Sequence, residues 1–321
     1  MFFGVFAGIF LKIFGMFTCA IIFFIDLKIY VRAYQFALEM QYDFEHLKGR
    51  TAVLTGAAGV IGRELALAMG SVGIATAILD LNGAMAREVA REVAEHTGTA
   101  SYGLECDVLD RNSLEEARTE VTARLGTADI LINAAGGNSP RATTEAEMIG
   151  EHMLDALDKT FFGLDLKGFE QVFSLNFTGT VLPTMVFGRD MVKARKGSIV
   201  NISSMSAFRP LTKIPAYSAA KASVNNLTEW LSTHLSPSGV RVNAIAPGFF
   251  LTQQNRFLLI DEYTGQYTSR GHKIVSGTPM GRFGEVVELP GTVLFLISDL
   301  AAFITGVIIP VDGGFNAYSG V

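Results

Sequence analysis

The run Thr51-Ala-Val-Leu-Thr-Gly-Ala-Ala-Gly-Val-Ile-Gly-Arg-Glu-Leu-Ala66 constrains the fold of this chain more than any other stretch. A short apolar strand leads into glycines at 56, 59 and 62, and residues with amphipathic helical spacing follow. Glycine lets a backbone approach a pyrophosphate closely, and a helix N-terminus offers unpaired N–H groups and the positive end of its dipole. A glycine cluster alone is weak evidence, but here it stands between strand and helix, where a dinucleotide loop requires it. The next apolar run, Ile74-Ala-Thr-Ala-Ile-Leu-Asp80, ends in an acid. A carboxylate there accepts hydrogen bonds from a ribose 2′-hydroxyl and repels a 2′-phosphate, which favours NAD over NADP. No Arg or Lys follows in Leu81-Asn82-Gly83 to reverse that preference. The alternative is that Asp80 is an ordinary loop acid.

The remainder repeats the same alternation. Apolar runs near 51–55, 74–80, 100–106, 129–133, 198–203, 240–246 and 306–311 are mostly continuous and β-branched, as in strands covered on both faces. Between them, 60–70, 84–96, 111–124, 168–191, 216–235 and 285–298 carry helical periodicity. The pattern predicts an α/β fold: a single Rossmann-type doubly wound domain, its seven-stranded parallel sheet flanked by helices on both faces. Ligands of such sheets bind beyond the C-terminal strand ends, where Gly56, Asn133, Ser204 and Pro247 fall. Residues 43–321 make one domain's worth of sequence, with no internal repeat or low-complexity linker.

A second constellation carries chemistry. Tyr217 and Lys221 lie one helical turn apart in Ala216-Tyr-Ser-Ala-Ala-Lys221, and Ser204 closes the apolar run Ser198-Ile-Val-Asn-Ile-Ser-Ser204. A free phenol titrates at ~10 and is a poor proton shuttle at neutral pH. A neighbouring ammonium favours the phenolate and should draw its pKa toward the working range. A serine hydroxyl at a strand end could hold the carbonyl oxygen that receives the proton, an arrangement for hydride chemistry on alcohols and ketones. Taken alone, the pair could equally be two residues of a surface helix.

On these residues the chain resembles the short-chain dehydrogenase/reductase family, from about Leu47 to the C-terminus. The family's glycine motif matches Thr55-Gly56…Gly62, with Gly56, Gly59, Ile61 and Gly62 expected around the phosphates. Its adenine-pocket pair resembles Asp107-Val108, and its fourth-strand motif resembles Asn133-Ala134-Ala135-Gly136. The resemblance implies a catalytic tetrad of Asn176, Ser204, Tyr217 and Lys221, with Asn176 anchoring a proton-returning water chain. It further implies that Lys221 bonds the nicotinamide ribose, that Pro247-Gly248 covers the nicotinamide, and that Thr252 bonds its carboxamide. The usual second glycine of the motif falls on Val60, with a glycine at 59 instead, so the loop is expected to shift its tight turn by one residue.

Other classes find little support. The net charge is −5 and no basic stripe appears, which leaves nucleic-acid binding without a footing. The two cysteines, Cys19 and Cys106, lack metal-ligand spacing. His152, among Glu145, Glu147, Glu151 and Asp155, is read as part of a solvated acidic helix rather than a metal site, and no metal is expected. Residues 1–40 form an apolar N-terminal extension: Met1–Ile25 holds eight phenylalanines and one charge, Lys12. Placing Lys12 mid-bilayer would cost roughly 2.5–3.5 kcal/mol. Two readings stay open, a membrane anchor with Lys28 and Arg32 on the cytoplasmic side, or a true start at Met40, which we favour. Both put the catalytic domain in the cytoplasm.

Substrate choice turns on two regions, an insert from Gly137 to about Gly168 and the stretch between Pro247 and Gly281. Asn138, Gln253, Gln254 and Asn255 supply amides, and Arg209, Lys213 and Arg256 supply cations. That mixture suits a polyhydroxylated acid, with Arg209 or Arg256 as the guanidinium fork for its carboxylate. The runs Ala135–Pro140, Ser203–Thr212 and Ala246–Phe257 are similar to those of the D-mannonate oxidoreductases (fructuronate reductases) within this family, which implies interconversion of D-mannonate and D-fructuronate. Alternatives are a gluconate 5-dehydrogenase or 3-oxoacyl-thioester reductase of the same family, and, in another class, a non-catalytic dinucleotide sensor. The resemblance also implies a homotetramer, with Phe315, Tyr318 and Val321 as its apolar terminus.

Overall fold

The computed structural model describes residues 43–253 and 255–320. The extension over residues 1–40, its reading as an anchor, Gln254 and Val321 all lie outside the described residues. Among the described residues no helix is long and apolar enough to cross a membrane.

Seven parallel strands form one sheet: β1 (Thr51–Thr55), β2 (Ala75–Asp80), β3 (Ser101–Glu105), β4 (Ile130–Asn133), β5 (Gly197–Ile202), β6 (Val240–Pro247) and β9 (Ile308–Val311). Their order across the sheet is β3-β2-β1-β4-β5-β6-β9. The order reverses at β1, where β2 lies on one side and β4 on the other. That reversal opens the crevice in which sheets of this kind bind ligands. The inner strands are largely apolar because side chains on both of their faces are covered, with Asn201 of β5 and Arg241 and Asn243 of β6 as polar interruptions. The two edge strands differ from expectation: β3 and β9 are only half covered, since each has a neighbour on one side alone.

Alternation along the strands sorts the core into two layers. Ala52, Leu54 and Ile78 pack with α1 (Val60–Ser71), α2 (Gly83–Thr97) and α9 (Pro290–Ile297). Val53, Ala77 and Leu79 pack with α3 (Arg111–Leu125) and α5 (Gly179–Ala194), and with Leu231 and Leu235 of α6 (Pro215–Leu235). The helix expected over 168–191 is α4 (Leu166–Phe173) followed without a break by a π turn, Ser174–Thr178, and then α5.

The two substrate-side regions hold short elements. The insert contains 3₁₀ turns at Pro140–Ala142, Glu151–Lys159 and Phe161–Gly163. The acidic helix expected around His152 is therefore an exposed 3₁₀ stretch, broken by the non-helical backbone of Ala156. Beyond β6 lie β7 (Phe250–Leu251), α7 (Arg256–Leu259), α8 (Ser269–Ser276) and β8 (Gly284–Glu285), with β7 paired to β8. Leu259, Ile260, Ile274 and Phe283 give this substrate-side segment, hereafter the lid, a small core of its own.

Candidate active site

The glycine loop is built by one left-handed residue. Gly56 has φ +61°, and a Cβ there would stand 2.5 Å from the Cα of Ala135, so only glycine lets the ends of β1 and β4 approach. Thr55 tightens the same junction, its hydroxyl accepting from the amides of Ala134 (3.2 Å) and Ala135 (3.3 Å). The expected one-residue shift of the turn is corrected here: Gly59 has φ −73°, open to any residue, and serves as the N-cap of α1. It offers no side-chain cap, so the amides of Val60, Ile61 and Gly62 begin the helix without intrahelical partners. Three free N–H groups at the positive end of a helix fit a pyrophosphate.

Asp80, at the end of β2, faces this loop. One carboxylate oxygen accepts from the amide of Ala58 at 3.1 Å and the other from Asn82 at 3.0 Å. The group is thus fixed beside the loop, with lone pairs left for a ribose hydroxyl. Asp107 accepts from the amide of Leu109 at 2.8 Å, and Val108 is buried against the position of Gly179. Cys106 beside them is buried, which pushes its thiol up to about 11 and leaves it inert. The side-chain amide nitrogen of Asn133 is engaged within the protein. The amide is buried and donates to Thr184 (3.0 Å) and Asn201 (2.8 Å), so it braces the strand ends from beneath.

The predicted tetrad converges. Asn176 sits in the π turn, a distortion frequent at functional sites, and its side chain grips Gly137 in both directions. It donates to the Gly137 carbonyl at 2.7 Å and accepts from its amide at 3.2 Å. A Cβ on Gly136 would lie 2.6 Å from the Asn176 oxygen and 3.2 Å from the Lys221 ammonium, so glycine is needed where the strand-four loop crosses the tetrad. Ser204 follows β5, and its hydroxyl accepts from the Ser206 amide (3.2 Å) and hydroxyl (3.0 Å). Tyr217 lies on the first turn of α6, near enough to Ser204 for that hydroxyl to favour the phenolate. The role of Ser206 does not follow from the sequence reading; the serine-rich run Ser203-Ser-Met-Ser206 is the available signal.

The electrostatics run against one expectation. Burial pushes the Tyr217 phenol above its ordinary value, and the Ser204 hydroxyl only partly opposes this. Lys221 does not draw it down as expected. Its ammonium donates to the Ile202 carbonyl at 2.7 Å and stands 5.7 Å from the centroid of the Tyr217 ring. Burial pushes Lys221 itself down to about 8, leaving a desolvated cation bonded to one carbonyl.

On the substrate side, several expected residues are engaged elsewhere. Arg209 is exposed and its Nε donates to the Asn316 carbonyl at 2.9 Å, which ties the loop after Ser204 to the C-terminal tail. Thr252 and Asn255 cap each other, the Thr252 amide donating to Asn255 at 2.8 Å and its hydroxyl accepting from the Asn255 amide at 3.3 Å. Asn138 donates to Thr143 at 2.8 Å. Arg256 is exposed and forms no ion pair among the described residues. Gly248 closes on Asp312, where a Cβ would stand 2.6 Å from that side chain, and its amide donates to the Val311 carbonyl at 2.9 Å.

The profile of a family described as enoyl-(acyl carrier protein) reductase matches residues 56–316. An uncharacterized oxidoreductase of Bacillus subtilis, UxuB, is 49% identical over 86% of this chain and 98% of its own. The chain is a short-chain dehydrogenase/reductase. A solved structure from Haemophilus influenza with bound NAD, provisionally named a D-mannonate oxidoreductase, is similar at 48% identity and a TM-score of 0.81, covering 86% of this chain and 98% of that one. The 3-oxoacyl-[acyl-carrier-protein] reductase FabG of Aquifex aeolicus is 35% identical over 84% of this chain and 98% of its own. This short-chain dehydrogenase/reductase is therefore an NAD-dependent oxidoreductase acting on CH–OH groups.

Proposed function

We propose that the protein is an NAD(H)-dependent oxidoreductase that interconverts D-mannonate and D-fructuronate. The observation that carries the reading is the 48% identity, over nearly the whole of its length, to the NAD-bound protein provisionally named a D-mannonate oxidoreductase. The Asp80 carboxylate beside the glycine loop supports NAD over NADP. Gly56, Gly59, Ile61, Gly62, Asp80, Val108 and the Pro247-Gly248 turn would hold the dinucleotide. When bound, its nicotinamide supplies or accepts the hydride.

The chain's own residues then manage the proton. In reduction, Tyr217 gives its phenolic proton to the substrate oxygen, and its raised pKa keeps that proton in place until it is needed. Ser204, oriented by Ser206, hydrogen-bonds the same oxygen as negative charge develops. Lys221 braces the end of β5 through the Ile202 carbonyl, and Asn176 fixes the backbone of Gly137. Assembly belongs to the proposal: Phe177, Met185 and Trp230 lie on the π turn, α5 and α6 in that order, and Met185 and Trp230 are more than half exposed. A homotetramer would bury such a surface. Assaying the purified protein with NADH against keto-uronates, keto-gluconates and a 3-oxoacyl thioester tests the substrate. Reduction of D-fructuronate above the others is expected; preference for the thioester contradicts the proposal.

A further inference from the structure

Of the two arginines expected to bind the substrate's carboxylate, Arg209 has its Nε engaged by the Asn316 carbonyl of the C-terminal tail, and Arg256 is exposed with no ion pair among the described residues. A different group of cations stands where the insert meets α8 and the segment leading into α6. The insert reaches Tyr217 through Ala142, which packs with Ala216 and Tyr217. Two residues on, the Thr144 amide donates to the Lys213 carbonyl at 3.0 Å, so the insert runs beside the segment that leads into α6. Three residues further, Glu147 forms an ion pair with Lys273 of α8, in the lid. Lys273 through its hydrogen bond, and Lys213 and Arg270 through space, hold the Glu147 carboxyl below the usual carboxylate range. Arg270 and Lys273 are three residues apart on α8 and so share a helix face.

Lys273 is thus paired with Glu147, while Lys213 and Arg270 lie on the two segments that adjoin this pair. We propose that Lys213, Arg270 and Lys273 are the recognition site for the substrate's carboxylate, and that Glu147 occupies this site in the free enzyme. The proposal rests on the sugar-acid reading above and adds the residues that recognise the acid. Exposed ion pairs are held weakly because water screens them, so Glu147 can be displaced at little cost. The guanidinium of Arg270 can grip a carboxylate with two parallel hydrogen bonds. When the substrate's carboxylate takes the place of Glu147, the lid exchanges its tether to the insert for a tether to the ligand.

The experiment compares kcat/KM for D-fructuronate with that for D-fructose, which carries a hydroxymethyl group in place of the carboxylate. Lys273→Ala and Lys213→Ala should each lower this acid-to-neutral ratio by at least about tenfold, the effect of losing a hydrogen bond to a charged group. Glu147→Gln should move the ratio the other way, raising it about threefold or more by removing a competitor for the cations. These opposite signs separate recognition from bracing: if Glu147→Gln and Lys273→Ala lower the ratio alike, the pair is a structural strut and the inference fails. Loss of the ratio in Arg256→Ala, with the lysine variants behaving like the parent, would likewise overturn it while leaving the sugar-acid reading intact. Should the parent enzyme bind no sugar acid by calorimetry in the presence of NADH, the sugar-acid reading fails and this inference with it.

Discussion

At the scale of single residues, the meeting of Asn176, Ser204, Tyr217 and Lys221 was legible because each combines a chemically distinctive side chain with a fixed spacing. Tyr217 and Lys221 share a helix face, and the structure brings Asn176 and Ser204 to them. The direction of the Tyr217 shift was not legible. It depends on how deeply the ring is buried and on where the ammonium settles, and neither is encoded by a four-residue interval. Lys221 commits its hydrogen bond to the Ile202 carbonyl. A buried lysine lowered to about 8 makes a test of its own. Below that value the folded protein carries a desolvated charge; as pH rises toward the unfolded value of ~10.4 the folded state sheds the proton first, so stability rises through the window. Chemical denaturation of the parent should show this gain relative to Lys221→Met between these limits. Identical pH profiles would contradict the buried-cation account. Asp80 makes a second test: kcat/KM with NADH should exceed that with NADPH by about tenfold or more, and Asp80→Ala should erase most of the difference. Equal efficiencies in the parent would show that the carboxylate does not meet the ribose.

At the scale of elements, long periodic segments were readable and short ones were not. The inner strands and the helices α1, α2, α3 and α6 lie where apolar runs and 3.6-residue spacing put them. The lid elements β7, β8 and α7 span two to four residues, too few for any period to show. Their form comes from tertiary packing around Ile274 and Phe283. The π turn at Asn176 was hidden for a similar reason, since one extra residue in a turn leaves the apolar spacing on either side intact. The glycine loop offers the sharpest test at this scale. Gly56→Ala would place a methyl 2.5 Å from the Ala135 Cα and force a side chain to φ +61°. We expect a loss of at least about 1–3 kcal/mol in urea unfolding, the cost of a strained backbone before the clash is counted. The substitution Gly59→Ala, at φ −73°, should cost much less. Equal effects at the two sites would place the tight turn elsewhere.

At the scale of the whole molecule, the parallel doubly wound sheet follows from the strand-helix alternation, whose crossovers share one hand, whereas the strand order is a finding of the structure. Which surfaces remain uncovered could not be read, because the apolar spacing of α5 and α6 does not say whether Met185 and Trp230 meet the core or a neighbour. Light scattering on the protein starting at Met40 should give four copies per particle at micromolar concentration; a stable monomer would contradict the homotetramer. The account as a whole rests on one reaction. The most direct test is the rate of NADH oxidation with D-fructuronate, measured for the parent protein and for Tyr217→Phe under saturating NADH. The account predicts steady turnover by the parent and a fall of at least about two orders of magnitude in the variant, with NADH binding retained. Near-normal turnover by the variant, or none by the parent, would contradict it.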